Sequence, residues 1–236
     1  MTQRARQAGF SLIEVLLAVA TLTIGLLFVG GTFMLGVHYT TTSAEQTYGQ
    51  LVSQQAFTTI QLYRVNLDTN DPNALMPGIM EDYNDVALRS VPEDSFVYAP
   101  NSQYRWKALV QRIGNSRTVR VTVLVCRWLG SDDLEIETIE ATINEGQYIA
   151  DSDNSVLSFT HRNFLVDEDN SRVFRMMHTG KNGRAQGETW ELRPPLDLHA
   201  PDAALDPYTM NARIIQPPLS SGRSPCIGAY QMDMAF

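Results

Sequence analysis

The chain has 236 residues, 44% of them hydrophobic and 19% charged, with a formal net charge of -8. That composition excludes disorder throughout and is sufficient for one sizeable domain with a buried core. The acidic balance argues against nucleic acid as the main partner, because phosphate backbones call for clustered Lys and Arg.

Residues 1–9 form a short polar leader whose charges are Arg4 and Arg6, and between Val15 and Ala44 there is no Asp, Glu, Lys or Arg. As a helix, residues 10–37 would be about 42 Å long, more than the roughly 30 Å of bilayer hydrocarbon. A removed secretory signal is the competing reading, but its apolar core runs to only about 7–15 residues and ends at an A-x-A-like site. Here the apolar run is longer, and no such site follows it. Arg4 and Arg6 predict a cytoplasmic leader and place everything after Val37 on the far side of the membrane.

Glu14 is the anomaly in this run. A lone carboxylate in a spanning helix costs roughly 2.5–3.5 kcal/mol on insertion scales, so it calls for a partner or a task. Cleavage after Gly9 would give Phe10 a new α-amino group of opposite sign, one helical turn from Glu14 on the same face. Gly9, lacking a side chain, suits a peptidase that holds its substrate extended.

The basic leader ending in Gly9, followed by Phe10-Ser11-Leu12-Ile13-Glu14-Val15-Leu16-Leu17-Ala18-Val19-Ala20, resembles the type IV prepilin class. That class holds type IV pilins, minor pilins and the pseudopilins of type II secretion, and the likeness covers the first 35 residues or so. It implies that a prepilin peptidase cuts after Gly9 and N-methylates Phe10. It also implies that Glu14 pairs with the Phe10 amine of a neighbouring subunit. The implied partners are the peptidase, other pilin or pseudopilin subunits, an inner-membrane assembly platform and membrane lipid. Thr23-Ile24-Gly25-Leu26-Leu27 makes the pilus-modification type of minor pilin, with its type II secretion relatives, the most similar subclass. Many pilins carry proline where this chain has Gly31, a departure inside a run interrupted by Gly25, Gly30, Gly31 and Gly36.

The helical pattern outlasts the apolar run. Ala44, Tyr48, Leu51, Val52, Ala56, Ile60, Tyr63 and Leu67 recur at spacings near three and four, with polar residues between them. That predicts an amphipathic continuation over residues 38–67, ended by Asn70-Asp71-Pro72-Asn73. Prolines 72, 77, 92 and 100 exclude long regular elements from the segment that follows. Alternation over 104–111 and 117–125, around Gly114-Asn115, then predicts an antiparallel hairpin with one buried face. A strand over 134–143, a second hairpin from 164–166 and 172–177, and a strand at 189–192 complete the predicted sheet. Beyond Arg193 the chain has seven prolines and little periodicity, which predicts an extended C-terminal segment wrapped over that sheet.

Cys126 and Cys226 fall on the far side of the membrane, in an oxidising compartment, where they form either a disulfide or two buried thiols. Closing so long a loop would stabilise by up to roughly 4.7 kcal/mol on the chain-entropy view. Asp151-Ser152-Asp153-Asn154 and Asp167-Glu168-Asp169-Asn170 carry oxygen ligands, but neither has the glycine and glutamate spacing of a calcium loop, and hairpin turns use the same residues. His38, His161, His178 and His199 show no zinc spacing, and there is no C-x-x-C, P-loop or G-x-S-x-G motif. The expectation is therefore an α+β protein with no metal, cofactor or catalytic residue. Its leader is 1–9, its transmembrane and polymerisation helix 10–37, the amphipathic continuation 38–67 and the periplasmic domain 68–236. The rival expectation is a periplasmic enzyme or binding domain tethered by an uncleaved helix.

Overall fold

A single helix, α1 (Leu12–Tyr63), carries both the apolar run and its amphipathic continuation. The structure, a computed structural model, describes residues 11–127, 135–144, 147–149, 163–180, 189–193, 208–216 and 226–236. It separates into two compact units, the first ending at Glu45 and the second beginning at Gln46. Gly9 and Phe10 lie outside the described residues, as do residues 151–154.

In the second unit, α1 buries one stripe made of Gly49, Val52, Ser53, Ala56, Phe57 and Ile60. Tyr48 is half-buried beside it, whereas Leu51 is exposed and does not join it. The helix stops at Tyr63, four residues before the sequence pattern does. Arg64 takes the left-handed conformation at φ 61 and its N–H donates to Ile60 O at 2.8 Å, which closes the last turn. The chain then turns into extended backbone, with Asn66 N–H on Val86 O at 2.8 Å, so Leu67 belongs to a loop.

The segment after the helix holds only β1 (Met80–Asp82), the short α2 (Tyr83–Val86) and a 3₁₀ turn at Glu93–Phe96, as its prolines require. The predicted hairpin is present as β2 (Tyr104–Arg112) and β3 (Thr118–Arg127), in register from Tyr104 opposite Arg127 to Arg112 opposite Val119. Gly114, at φ 55, supplies the positive dihedral of its turn.

Two expectations about the sheet need correction. The hairpin was expected to bury one face, but β3 is buried continuously from Val121 to Cys126, so both faces are covered. Val119, Val121, Val123 and Val125 pack with Trp106, Ala108 and Val110 against Val52, Ala56, Phe57 and Ile60 of α1. The alternate residues Leu109, Leu124 and Cys126 pack instead against Phe164 and Val166. Each large side chain sealed in this way contributes about 1.5–3 kcal/mol of transfer free energy.

The second correction concerns the C-terminal segment, which contains two long strands. These are β9 (Tyr208–Gln216) and β10 (Cys226–Ala235). The prolines stop at the strand ends, with Pro207 just before β9, Pro217 just after it and Pro225 just before β10. Proline cannot donate to a ladder, so it punctuates strands without forbidding those between. β10 pairs antiparallel with β3 and completes a four-stranded sheet in the order β1-β2-β3-β10.

The remaining strands do not extend that sheet. β4 (Glu135–Asn144), β5 (Gln147–Ile149), β6 (Asn163–Asp167), β7 (Val173–Gly180), β8 (Thr189–Arg193) and β9 close on themselves as a barrel in the order β4-β5-β8-β7-β6-β9. Its interior is filled by Ala141, Ile143, Leu165, Phe174, Met176, Leu192, Met210, Ala212 and Ile214. A barrel this small has room for side chains and no channel. The fold is thus α+β, with one long helix and two antiparallel sheets.

The β6–β7 turn seats the barrel on the sheet. Gln111 Nε2 donates to Gly78 O at 2.9 Å and also to Glu168 O, and Gln231 Nε2 donates to Ser171 O and to Thr122 Oγ1. Arg213 donates to Glu168 Oε1 at 2.7 Å and to Met80 O at 2.8 Å. These side chains satisfy carbonyls that the apolar seam would otherwise leave unpaired.

Candidate functional site

The first unit offers the most unusual chemistry in the chain. Along the helix, Leu12, Phe28 and Met34 are 81%, 76% and 77% exposed, and the remaining large apolar residues up to Val37 are exposed as well. A helix that is apolar all round is covered either by protein or by lipid. Among the described residues none of the apolar stretch is buried, so this helix is a candidate membrane span by length, composition and exposure.

Local bonding suits a medium without water. The hydroxyls of Thr21, Thr23, Thr32, Thr40, Thr41 and Thr42 each donate to a carbonyl one turn back at 2.8–3.0 Å. Each hydroxyl is thereby satisfied within the helix itself. Gly25, Gly30, Gly31 and Gly36 have open space where a Cβ would stand, and the helix is continuous through all four.

Glu14 stands in the first turn and is the only Asp, Glu, Lys or Arg between residues 11 and 44. Its Oε2 accepts the backbone N–H of Ser11 at 2.9 Å, while Ser11 O accepts the N–H of Glu14 at 3.0 Å and of Val15 at 3.3 Å. Ser11 is therefore the N-cap, and Glu14 supplies one limb of a capping box. The carboxylate also lies at the positive end of the helix dipole. Ser11 was not singled out from the sequence, although the S-x-x-E spacing ahead of an apolar run is the usual signal. Beside Glu14, the side chains of Val15, Ala18, Val19 and Leu22 line a shallow apolar groove along the helix.

The other sequence candidates separate clearly. Cys126 and Cys226 are brought directly opposite one another on β3 and β10, both buried and both as free thiols, so the structure does not draw the expected bond. Interaction with the Cys226 sulfur, which favours the proton staying on Cys126, and then burial, push the Cys126 thiol well above its ordinary range. Asp167 is buried, and its carboxylate accepts the N–H groups of Asp169 and Asn170 at 2.9 and 3.2 Å and Asn170 Nδ2 at 3.0 Å. That is an Asx turn closing the β6–β7 hairpin. Among the described residues, no group of three or more His, Cys, Asp or Glu is placed to hold a metal ion.

What this arrangement can do is present an apolar rod headed by one carboxylate. The groove lets a second apolar segment lie against the rod, and the carboxylate attracts a positive group at the same depth. No family model matches the chain, and neither the curated proteins nor the solved structures include a match to it.

Proposed function

We propose that the chain is a minor pilin or pseudopilin, a non-enzymatic subunit of a type IV pilus or type II secretion filament. Prepilin peptidase cuts it after Gly9 and methylates the Phe10 amine. The helix holds the subunit in the bacterial inner membrane with its second unit in the periplasm, until the assembly platform draws it into a filament. There Glu14 pairs with the Phe10 amine of a neighbouring subunit.

One observation carries this reading. Up to Val37 the helix is apolar on every side and exposed among the described residues, and it bears a single carboxylate in its first turn, at the point where cleavage after Gly9 would create an opposite charge. Capping the Ser11 N–H needs an oxygen but not a full charge, and the insertion cost of roughly 2.5–3.5 kcal/mol disfavours a carboxylate left without a positive partner. The packing of residues Val52 to Ile60 of the helix on an antiparallel sheet supports the reading, because a filament subunit needs a folded domain besides its polymerising helix.

The deciding measurement is the intact mass of the membrane-extracted chain from cells with and without prepilin peptidase. Loss of residues 1–9 together with gain of one methyl group, only in cells holding the peptidase, is the expected result. An uncut N-terminus in both strains would leave a tethered periplasmic domain and remove the filament reading.

A further inference from the structure

We propose that Cys126 and Cys226 form a cross-strand disulfide that fastens the neck of the barrel insertion, and that the bond is made before the barrel seats on the sheet. The inference rests on the reading above in one respect, that the second unit matures outside the cytoplasm, where thiol–disulfide oxidases act.

The topology singles out these two positions. β3 carries Cys126 one residue from its end, β10 opens on Cys226, and all six barrel strands lie between them in sequence. The chain thus leaves the helix-bearing sheet and returns to it at the cysteine pair. A bond there would make the four-stranded sheet covalently continuous at the point where the barrel is inserted.

Geometry permits the bond. The two residues are register partners, and opposed antiparallel residues have Cα atoms about 4.5–5.5 Å apart, inside the roughly 4.4–6.8 Å that a disulfide spans. Each thiol donates to a carbonyl two residues away in its own strand, Cys126 to Leu124 O at 3.8 Å and Cys226 to Gly228 O at 3.6 Å. The register shift between Cys226 and Gly228 frees the first residue of β10 from a strict ladder, giving it room to adjust.

Burial sets the order of events. Cys126 and Cys226 are 6% and 2% exposed, in a cluster with Leu109 and Leu124 of the sheet and Phe164 and Val166 of the barrel. An oxidase cannot reach sulfur under that cover, and the thiolate it needs is scarce while the Cys126 thiol is held well above its ordinary range. Exchange therefore takes place on the unseated chain. One cysteine thiolate attacks the oxidase disulfide, giving a mixed disulfide and releasing one oxidase thiolate. The second cysteine thiolate then attacks the mixed disulfide, the Cys126–Cys226 bond forms, and the oxidase leaves as its dithiol with both protons and both electrons. Once the barrel seats, the same cover shields the bond from reductant.

The test is alkylation of the full chain followed by intact mass. Protein from cells with a thiol–disulfide oxidase is expected to take no alkyl group when denatured alone, and two when denatured with reductant. Reductant without denaturant should leave the bond intact. Two alkyl groups without reductant would overturn the proposal, and refolding of the reduced chain with oxidised glutathione would then show why. Bond formation in that refolding would place the fault in the compartment and hence in the proposed function. Absence of the bond there would place it in the pairing itself. Oxidation of the reduced but folded chain as fast as the unfolded chain would overturn the order of events. Cys126→Ala, Cys226→Ala and the double variant are each expected to lower the melting midpoint by the same roughly 5–15 °C, because removing either partner abolishes one bond. Additive losses would indicate two separate packing roles and sink the bond.

Discussion

At Glu14 two roles meet in one side chain, and they can be separated by chemistry. Gln at this position keeps an oxygen for the Ser11 N–H but loses the charge, whereas Ala loses both. Glu14→Gln is expected to stay in the membrane fraction with its first turn as protected from hydrogen exchange as in the wild type, yet to be absent from sheared filaments. Glu14→Ala should fail in both assays. Filament entry by Glu14→Gln at the wild-type level would show that the charge is not used in assembly. A second position is decided by contact distance. A Cβ on Gly49 would lie 2.2 Å from the Tyr230 hydroxyl oxygen and 3.2 Å from the ring carbon bearing it. Gly49→Ala is therefore expected to cost about 1–3 kcal/mol by overpacking, against a helix-propensity gain of about 1 kcal/mol. In a Tyr230→Phe background the obstructing oxygen is gone, and Gly49→Ala should become neutral or stabilising. Urea midpoints of the four chains in that cycle measure the coupling, and purely additive effects would show that the helix is not held close to β10 at this point.

Elements were legible in the sequence wherever a period was strong and local. The β2–β3 hairpin, β6, β7 and β8 fall where alternation and turn residues placed them, because register is a property of neighbouring residues. Three things were not legible. β9 and β10 pair with partners far away in sequence, and the prolines beside them masked their alternation, although those prolines only mark strand ends. The buried stripe of α1 was misjudged at Leu51 and Phe57, since a period gives a helix face only within the angle that the sheet happens to cover. The end of α1 was missed for a third reason, because its stop signal is a backbone conformation carried by Arg64, where glycine is the usual cue. A left-handed residue with a Cβ costs roughly 1–2 kcal/mol, part of which glycine returns as unfolded-state entropy. Arg64→Gly is accordingly expected to stabilise the second unit by about 0.5–1 kcal/mol, read as a higher urea midpoint with an unchanged slope. A lower midpoint would mean that the arginine side chain secures the cap.

In the second unit as a whole, stability is divided between cores that share no residue. One core joins α1 to the sheet, a second fills the barrel, and a third cluster, together with the glutamine and arginine contacts, forms the seam. This division was hidden from the sequence, because nothing in a strand's own pattern says which of two sheets it will join. It has a measurable consequence. Phe174 is buried at the centre of the barrel, and replacing it with Ala removes about 3–5 kcal/mol of burial from that core alone. If the seam is the weaker link, hydrogen exchange should accelerate across β4, β6, β7 and β9 in the Phe174→Ala chain, while α1 from Val52 to Ile60 and the β2–β3 ladder keep their protection. Trp106 lies in the other core, with Nε1 donating to Ser95 O at 3.0 Å, so Trp106→Ala should produce the complementary pattern. Acceleration spread evenly over both sheets by either substitution would mean that the seam transmits the full loss and that barrel and sheet unfold as one. The filament reading favours separable cores, since a helix held by its own sheet keeps its place in an assembly while the barrel opens.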